Sequence, residues 1–343
     1  MHWNDFKYLK WDKRNWPILT PSQGKTWDNY SVITPSVIKK DDKFLMFYTG
    51  QGYNSNWGIG LAESLDLINW KRLLDKPLIQ CSENQCFSAI DGVSVMFNEK
   101  AFLFFESKEI RDTIIKKTIK GLIPGSIYLS LIRFKCFIND MVGKSIAVQH
   151  AKTRKIYFIE SEMLYKWNTE GAKVVFTYED TGWDCDGVFS PRIFRFKNKF
   201  YLVYGGSNGS KINTGIAVSL DFYNWKRISS EPILKHGNKG DWDENHALIV
   251  DIIELEDGFV GFYEGEDRWN KYRIGLAYSK DLVSWKKFEG NPILDSGSKG
   301  SFDERMVCSP HVIVKNNEYF LFYTAHNRYM QGCCGLAIGK SNS

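Results

Sequence analysis

The sequence lacks the features that place a chain in a membrane, on nucleic acid or around a metal ion. Its most apolar window, Leu122 to Ile132, is interrupted by Pro124, Gly125 and Ser126, whereas a membrane-spanning helix needs about 20 apolar residues. The opening residues, Met1-His2-Trp3-Asn4-Asp5, lack a basic stretch followed by an apolar core. No signal peptide is therefore expected, and a cytoplasmic location is. Neither sign of charge dominates: 45 Lys+Arg against 40 Asp+Glu leave +5. The nearest basic cluster, Lys116-Lys117 with Lys120, is a solvated surface rather than a nucleic-acid footprint. Cysteine is sparse and irregular. The seven are odd in number, Cys333-Cys334 are adjacent, and Cys81 and Cys86 have no matching pair. That pattern excludes a disulfide scaffold and a cysteine metal site, and predicts reduced thiols with no metal and no cofactor.

What is abundant is aromatic. Phe, Trp and Tyr make up 15% of the 343 residues, with 12 Trp and 17 Tyr beside 28 Gly. Aromatics favour strands, and they also line sugar sites. Repetition accounts for their number. One strand-like phrase recurs as Ile59-Gly60-Leu61-Ala62, Gly215-Ile216-Ala217-Val218 and Ile274-Gly275-Leu276-Ala277, with weaker copies at Ser145-Ile146-Ala147-Val148 and Gly335-Leu336-Ala337-Ile338. A Trp follows most copies: Trp70, Trp167, Trp225 and Trp285. Next comes Pro-Ile-Leu, a Gly-rich turn and an aromatic-Asp pair, as in Pro17 to Trp27-Asp28, Pro232 to Trp242-Asp243 and Pro292 to Phe302-Asp303. Last is a hairpin, as in Pro35 to Tyr48, Pro191 to Tyr204 and Pro310 to Tyr323. The aromatic of the pair and the final Tyr are 21 residues apart at 27–48, 183–204, 242–263 and 302–323.

Units of about 60 residues, each with four short strands between turn residues, are the signature of a propeller. The predicted fold is all-β: a five-bladed β-propeller of four-stranded antiparallel blades, one domain over 1–343. The last unit stops before its Trp element, and Phe6 to Trp11 supplies it. An N-terminal strand is therefore expected to complete the last blade and remove two sheet edges. The interval from Trp70 to Trp167 is longer than the others, which places one insertion, about 108–144, after the blade-two hairpin. A surface element, a lid, a dimer contact and a membrane-surface contact are all open for it.

In such a ring the strands opening each hairpin are expected nearest the axis, and a ligand sits where their starts meet. Aligned from its hairpin end, with Phe105 matching Tyr204, blade two places Asp91 where other blades have the residue before Pro. The repeated Asp28, Asp184, Asp243 and Asp303 read first as structural groups that cap turns or join blades. Asp91, Asp186, Glu244 and Glu304 are the better functional carboxylates. Arg192, Arg305, His246 and His311 are candidates to bind a sugar hydroxyl or an anion. Trp57 and Trp269 lie in mouth loops, where they could stack on a sugar. The return strands add Glu106, Glu264, Glu266, Asp267, His326 and Arg328 at the same face. Carboxylates from different blades converging on one funnel are what glycoside hydrolysis needs, one to protonate the leaving oxygen and one to activate water or attack.

The Pro-x-Val-Ile hairpin ending in Phe-Tyr-Thr-Gly (Pro35 to Gly50) and the Trp-Asp approaches resemble the five-bladed propeller glycosidases of the arabinanase, invertase and levansucrase type. The resemblance spans nearly the whole chain except the insertion. It implies a glycosidase acting on an oligo- or polysaccharide, with three acidic residues from different blades. On it, Asp91 or Asp28 is the base or nucleophile, Asp186 orients the sugar, and Glu244 or Glu304 is the acid. The chain departs from the pattern at Thr34, where arabinanase-like members carry Asp before Pro, and it lacks the invertase Asn-Asp-Pro-Asn motif. Those departures keep two alternatives open: a non-catalytic carbohydrate-binding or polysaccharide-processing propeller, and a phosphorolytic glycosidase using Arg192, Arg305 and His311.

Overall fold

The computed structural model describes residues 1–24, 26–53, 57–80, 89–108, 130, 134 and 145–340. Most of the expected insertion lies outside them. The chain opens with a one-turn helix α1 (Trp3–Phe6) and strand β1 (Lys10–Lys13). A first sheet follows: β2 (Ser31–Lys40), β3 (Lys43–Gln51), β4 (Trp57–Ser64) and β5 (Lys71–Arg72), with β6 (Ile79–Gln80) also on β4. The second comprises β7 (Ile90–Phe97), β8 (Lys100–Lys108), β9 (Arg154–Ser161) and β10 (Lys173–Phe176), with helix α2 (Ile146–Ala151) before β9. The third holds β11 (Gly187–Phe196), β12 (Lys199–Ser207), β13 (Ile212–Ser219) and β14 (Lys226–Arg227). The fourth holds β15 (His246–Leu255), β16 (Gly258–Glu266), β17 (Tyr272–Ser279) and β18 (Trp285–Lys287). A parallel bridge, Ile212 to His246, joins those two into one larger sheet. The last comprises β19 (Met306–Lys315), β20 (Glu318–His326) and β21 (Gly332–Lys340), and β1 completes it antiparallel to β21.

The fold is thus all-β and built of four-stranded antiparallel sheets, as in a propeller. Each opening strand touches the next: β2 meets β7, β7 meets β11, β11 meets β15, β15 meets β19, and β19 meets β2. No helix among the described residues is long and apolar enough to cross a membrane.

The repeats have physical causes. The final hairpin Tyr lies under the aromatic of its pair, Trp27 on Tyr48 and Trp183 on Tyr204 both at 5.8 Å. In three sets its hydroxyl donates to the neighbouring Asp: Tyr48 to Asp28 at 3.1 Å, Tyr204 to Asp184 at 3.1 Å, Tyr263 to Asp243 at 3.2 Å, while the Tyr323 hydroxyl has no partner among the described residues. A cation from the following Trp element closes each set. Arg72 lies 2.8 Å from Asp28, Arg227 2.8 Å from Asp184, and Lys287 2.5 Å from Asp243. In the last sheet the cation is Lys13 of β1, 2.6 Å from Asp303. The 21-residue spacing is the length of chain that brings ring over ring and carboxylate to hydroxyl.

The glycine of the recurring phrase has the same origin. Gly60 pairs with Tyr48 and Gly215 with Tyr204. A Cβ at either would sit 2.3 Å from the Tyr ring. The weak copy at Ser145 lacks that glycine, and it is not a strand. It forms helix α2, with the Ser145 side chain accepting from Val148 N at 3.2 Å, an N-cap. The third strand of the second sheet is β9 instead. There Tyr157 pairs with Phe105, and the two rings stack at 5.8 Å.

The repeated Trp closes a turn. In Ser64-Leu65-Asp66-Leu67, Ser219-Leu220-Asp221-Phe222 and Ser279-Lys280-Asp281-Leu282, the Ser hydroxyl and Asp carboxylate accept backbone N–H groups. Such side-chain bonds fold the chain locally. The Trp indole then donates three residues back: Trp70 to Leu67, Trp167 to Leu164, Trp225 to Phe222 and Trp285 to Leu282.

Candidate active site

Four opening strands break register at the same place. Pairing skips Thr34-Pro35, Asp91-Gly92, Ser190-Pro191 and Ser309-Pro310. The first residue of each skipped pair has positive φ: 52° at Thr34, 54° at Asp91, 47° at Ser190 and 50° at Ser309. This is the uncommon left-handed region for a residue with a side chain. Its N–H turns out of the ladder to a side chain of the preceding sheet. Thr34 donates to Thr324 Oγ1 at 2.7 Å, Asp91 to Thr49 Oγ1 at 3.1 Å, Ser190 to Glu106 Oε2 at 2.7 Å, and Ser309 to Glu264 Oε2 at 2.7 Å. Each acceptor follows the last hairpin aromatic: Thr49 after Tyr48, Glu106 after Phe105, Glu264 after Tyr263, Thr324 after Tyr323. In the third sheet that position is Gly205, which has no side-chain acceptor to offer. The fourth sheet's opening strand accordingly skips one residue rather than two, between Ile249 and Asp251.

Asp91 stands at the register expected for it, in the skipped pair of the second sheet. Ser190 Oγ donates to its Oδ2 at 2.6 Å, and its Oδ1 is buried without a partner among the described residues. Arg192, two residues beyond Ser190, is buried, gives Nε to the Val250 carbonyl at 2.6 Å, and leaves Nη1 without a partner among the described residues. Its charge acts on Asp251, Asp91 and Glu264 together. Glu264 is buried, and burial pushes its carboxyl up to about 8. Asp91 and Glu266 add to the shift, while the Ser309 N–H and Arg192 oppose it. Glu266, fully buried, is also pushed to about 8 by burial, against hydrogen bonds from Ser145 (2.5 Å) and Tyr272. His246 lies 3.3 Å from Glu264 Oε1, and burial pushes its imidazole down to about 3, so it is neutral there. Burial also raises the Cys308 thiol, with Glu264 and Asp91 contributing.

His311 is held between Asp251 and Val37. It lies 3.0 Å from Asp251 Oδ2, with its other nitrogen 2.9 Å from the Val37 carbonyl. Burial pushes Asp251 up, but His311, Arg192 and the Val312 N–H outweigh it and hold the carboxyl below its usual range. Glu106 is buried with Arg154 at 2.8 Å. Helix α2 covers the third and fourth opening strands: Val148 and Ala151 pack against Phe189, Leu248 and Val250.

The other expected residues stand apart from this cluster. Asp28 is a packing group, 1% exposed and engaged by Tyr48 and Arg72. Glu244 and Glu304 are copies of one another rather than unique carboxylates. Each accepts the N–H of a glycine four residues back, Gly240 and Gly300, and so closes its Gly-rich turn. Asp186 is half-buried, its carboxylate beside Gly209. Arg305 reaches the Trp269 carbonyl at 3.4 Å, and Trp269 is 53% exposed. Trp57 opens β4, half-buried opposite Gln51. The sequence places Glu106, Glu264 and Glu266 at this face without giving them roles, and it does not mark Asp251 or Tyr272. The repeat carried the signal for Glu106 and Glu264, since both replace a Thr or Gly after the last hairpin aromatic. Among the described residues no group of His, Cys, Asp and Glu is arranged to hold a metal ion.

The sheet topology is that of a propeller, and solved structures share the fold. A protein described as a glycoside hydrolase superposes with TM-score 0.68 at 16% identity, covering 96% of this chain and 92% of that one. A second match, TM-score 0.67 and 15% identity, covers 97% and 94%; its description states that the GH130 family of mannoside phosphorylases contains glycoside hydrolases that target β-1,2 mannosidic linkages in Candida mannan. A thermostable family-43 glycoside hydrolase matches with TM-score 0.59 at 17% identity, covering 90% and 88%. No protein-family model matches the sequence, and no curated protein sequence does.

Proposed function

We propose that the chain is a glycosyl-processing enzyme, a single domain closed as a ring of five blades with its active site in the central funnel. Glu264 is the proton donor to the leaving oxygen, and Asp91 is the base or nucleophile. The observation that carries this is the environment of two carboxyls on different sheets under one Arg192 charge. Burial keeps Glu264 protonated to about pH 8, while Asp91 accepts from the Ser190 hydroxyl and has an Oδ1 without a partner among the described residues. A carboxyl that keeps its proton, with a second carboxyl group on another sheet, is what acid–base cleavage of a glycosidic bond requires. The unpaired Asp91 Oδ1, Arg192 Nη1 and Glu266 Oε1 are then groups for sugar hydroxyls to satisfy, since buried polar atoms left alone are costly. The acid role falls to Glu264 rather than Glu244 or Glu304, and Asp186 is kept as a sugar-orienting residue at the rim.

Between hydrolysis and phosphorolysis, the electrostatics favour water. A phosphate dianion at Arg192 would meet Asp91 and Asp251, which already share that charge. The test is turnover of a panel of aryl glycosides and neutral oligosaccharides, with and without inorganic phosphate. Glu264→Gln and Asp91→Asn are each expected to lower kcat by about 10²–10⁴ with the circular-dichroism spectrum unchanged. Glu264→Gln should spare substrates with acidic leaving groups, which need no proton. Wild-type rates in both variants would overturn the assignment, and phosphate-dependent turnover would replace hydrolysis by phosphorolysis.

A further inference from the structure

Three of the approach segments dock on the third strand of the preceding sheet through one bridge: Leu234 to Thr214, Leu294 to Ile274, and Leu19 to Cys334. Around two of these bridges, side chains fill the notch. His236 donates its N–H to Asn213 Oδ1 at 2.8 Å, with its ring nitrogen 2.9 Å from the same atom. Asp295 is gripped by Lys271 at 2.9 Å and Arg273 at 3.2 Å. In the third notch, the positions of Lys271, Arg273 and Asp295 are taken by Gln331, Cys333 and Thr20, and that of His236 by Pro21. The filling side chains are gone, and a cavity of about 460 Å³ stands in their place. That is within the roughly 300–1,000 Å³ of small-ligand sites.

Its lining has a consistent chemistry. The described lining residues carry no charge. They offer hydroxyls (Thr20, Ser22), amides (Gln23, Gln331) and the ring of Tyr53, which is 45% exposed. That ring is set in advance: Asn29 Oδ1 accepts the Tyr53 N–H at 3.1 Å, and the Tyr30 ring lies 5.4 Å away. Neutral donors and acceptors beside an aromatic face suit a neutral polyhydroxylated ligand, while an anion would find no cation among them. Tyr53 and Gln331 stand in the loops that follow β3 and β20.

We propose that this notch is a second carbohydrate site, taking a neutral sugar unit outside the funnel. It does not depend on the catalytic assignment, because its residues are not those of the inner cluster. The test is binding of neutral oligosaccharides to the full chain on a glycan array, with each hit titrated by calorimetry against three variants. Thr20→Asp/Cys333→Arg rebuilds the ion pair found around Asp295, and Tyr53→Ala removes the ring without adding bulk. Both should weaken hits at least tenfold and leave turnover of aryl glycosides unchanged. Asp91→Asn serves as the funnel control. Binding lost only in Asp91→Asn, or an array with no hit, would overturn the second site and leave the catalytic reading to be judged by turnover.

Discussion

At the scale of the residue, burial sets the chemistry. A carboxyl without enough donors gives up its charge rather than its place in the core. Glu264 therefore holds its proton to about pH 8, and a general acid works only while protonated. The rate is expected to be flat towards neutrality and to fall as pH rises through about 8, a limb that Glu264→Gln should abolish. A pH–rate profile on a substrate with a poor leaving group reads this directly. Glu266 makes the matching prediction for stability. Its folded value, about 8, lies above the ordinary 4.5. Between those values the folded chain binds a proton that the unfolded chain releases. The stability it contributes is full below about pH 4.5 and is lost as pH rises through 8. Urea midpoints at pH 5 and pH 9 should differ less in Glu266→Gln than in the wild type. An unchanged difference would show that Glu266 ionises freely in the fold.

At the scale of the element, the repeat was legible because its causes are local. Trp-Asp, the hairpin Tyr, the phrase glycine and the Trp element are parts of one contact set, so their spacing repeats wherever the set does. Where the set is altered, the reading failed. Ser145-Ile146-Ala147-Val148 copied the apolar letters but not the glycine that a Tyr ring demands, and it is helical. The carboxylates misled for a related reason. Glu244 and Glu304 passed as distinct residues, yet both close the same turn. Asp251 escaped notice because its importance comes from His311 and Arg192, which only the assembled sheets bring to it. The contact set also predicts a cost. Asp184→Asn removes the carboxylate from a buried Tyr204 hydroxyl and from Arg227, whose side chain is 20% exposed. Breaking a buried pair costs about 3–5 kcal/mol, and partial exposure places this one near 3. Chemical denaturation should show that loss with the β-sheet signal intact at low denaturant.

At the scale of the whole molecule, the decisive contact joins the two ends of the sequence. β1 runs antiparallel to β21 from Lys10 opposite Lys340 to Lys13 opposite Ala337. Trp11 covers Gly339 and packs at 5.7 Å on Phe262 of the fourth sheet, and Phe6 packs at 6.0 Å on the same ring. Lys13 supplies the cation that every other set draws from its own Trp element. This strand is therefore both an edge cover and an electrostatic component. The two roles separate experimentally. Lys13→Ala leaves Asp303 buried and unpaired but keeps the strand, so it should lower the thermal midpoint while the protein stays monodisperse. Removing residues 1–13 takes the strand as well and bares the backbone edge of β21, a template for pairing with another chain. It should lower the midpoint further and produce association visible by light scattering. Equal midpoints and equal scattering for the two variants would mean that the ring is held by its inner strands alone.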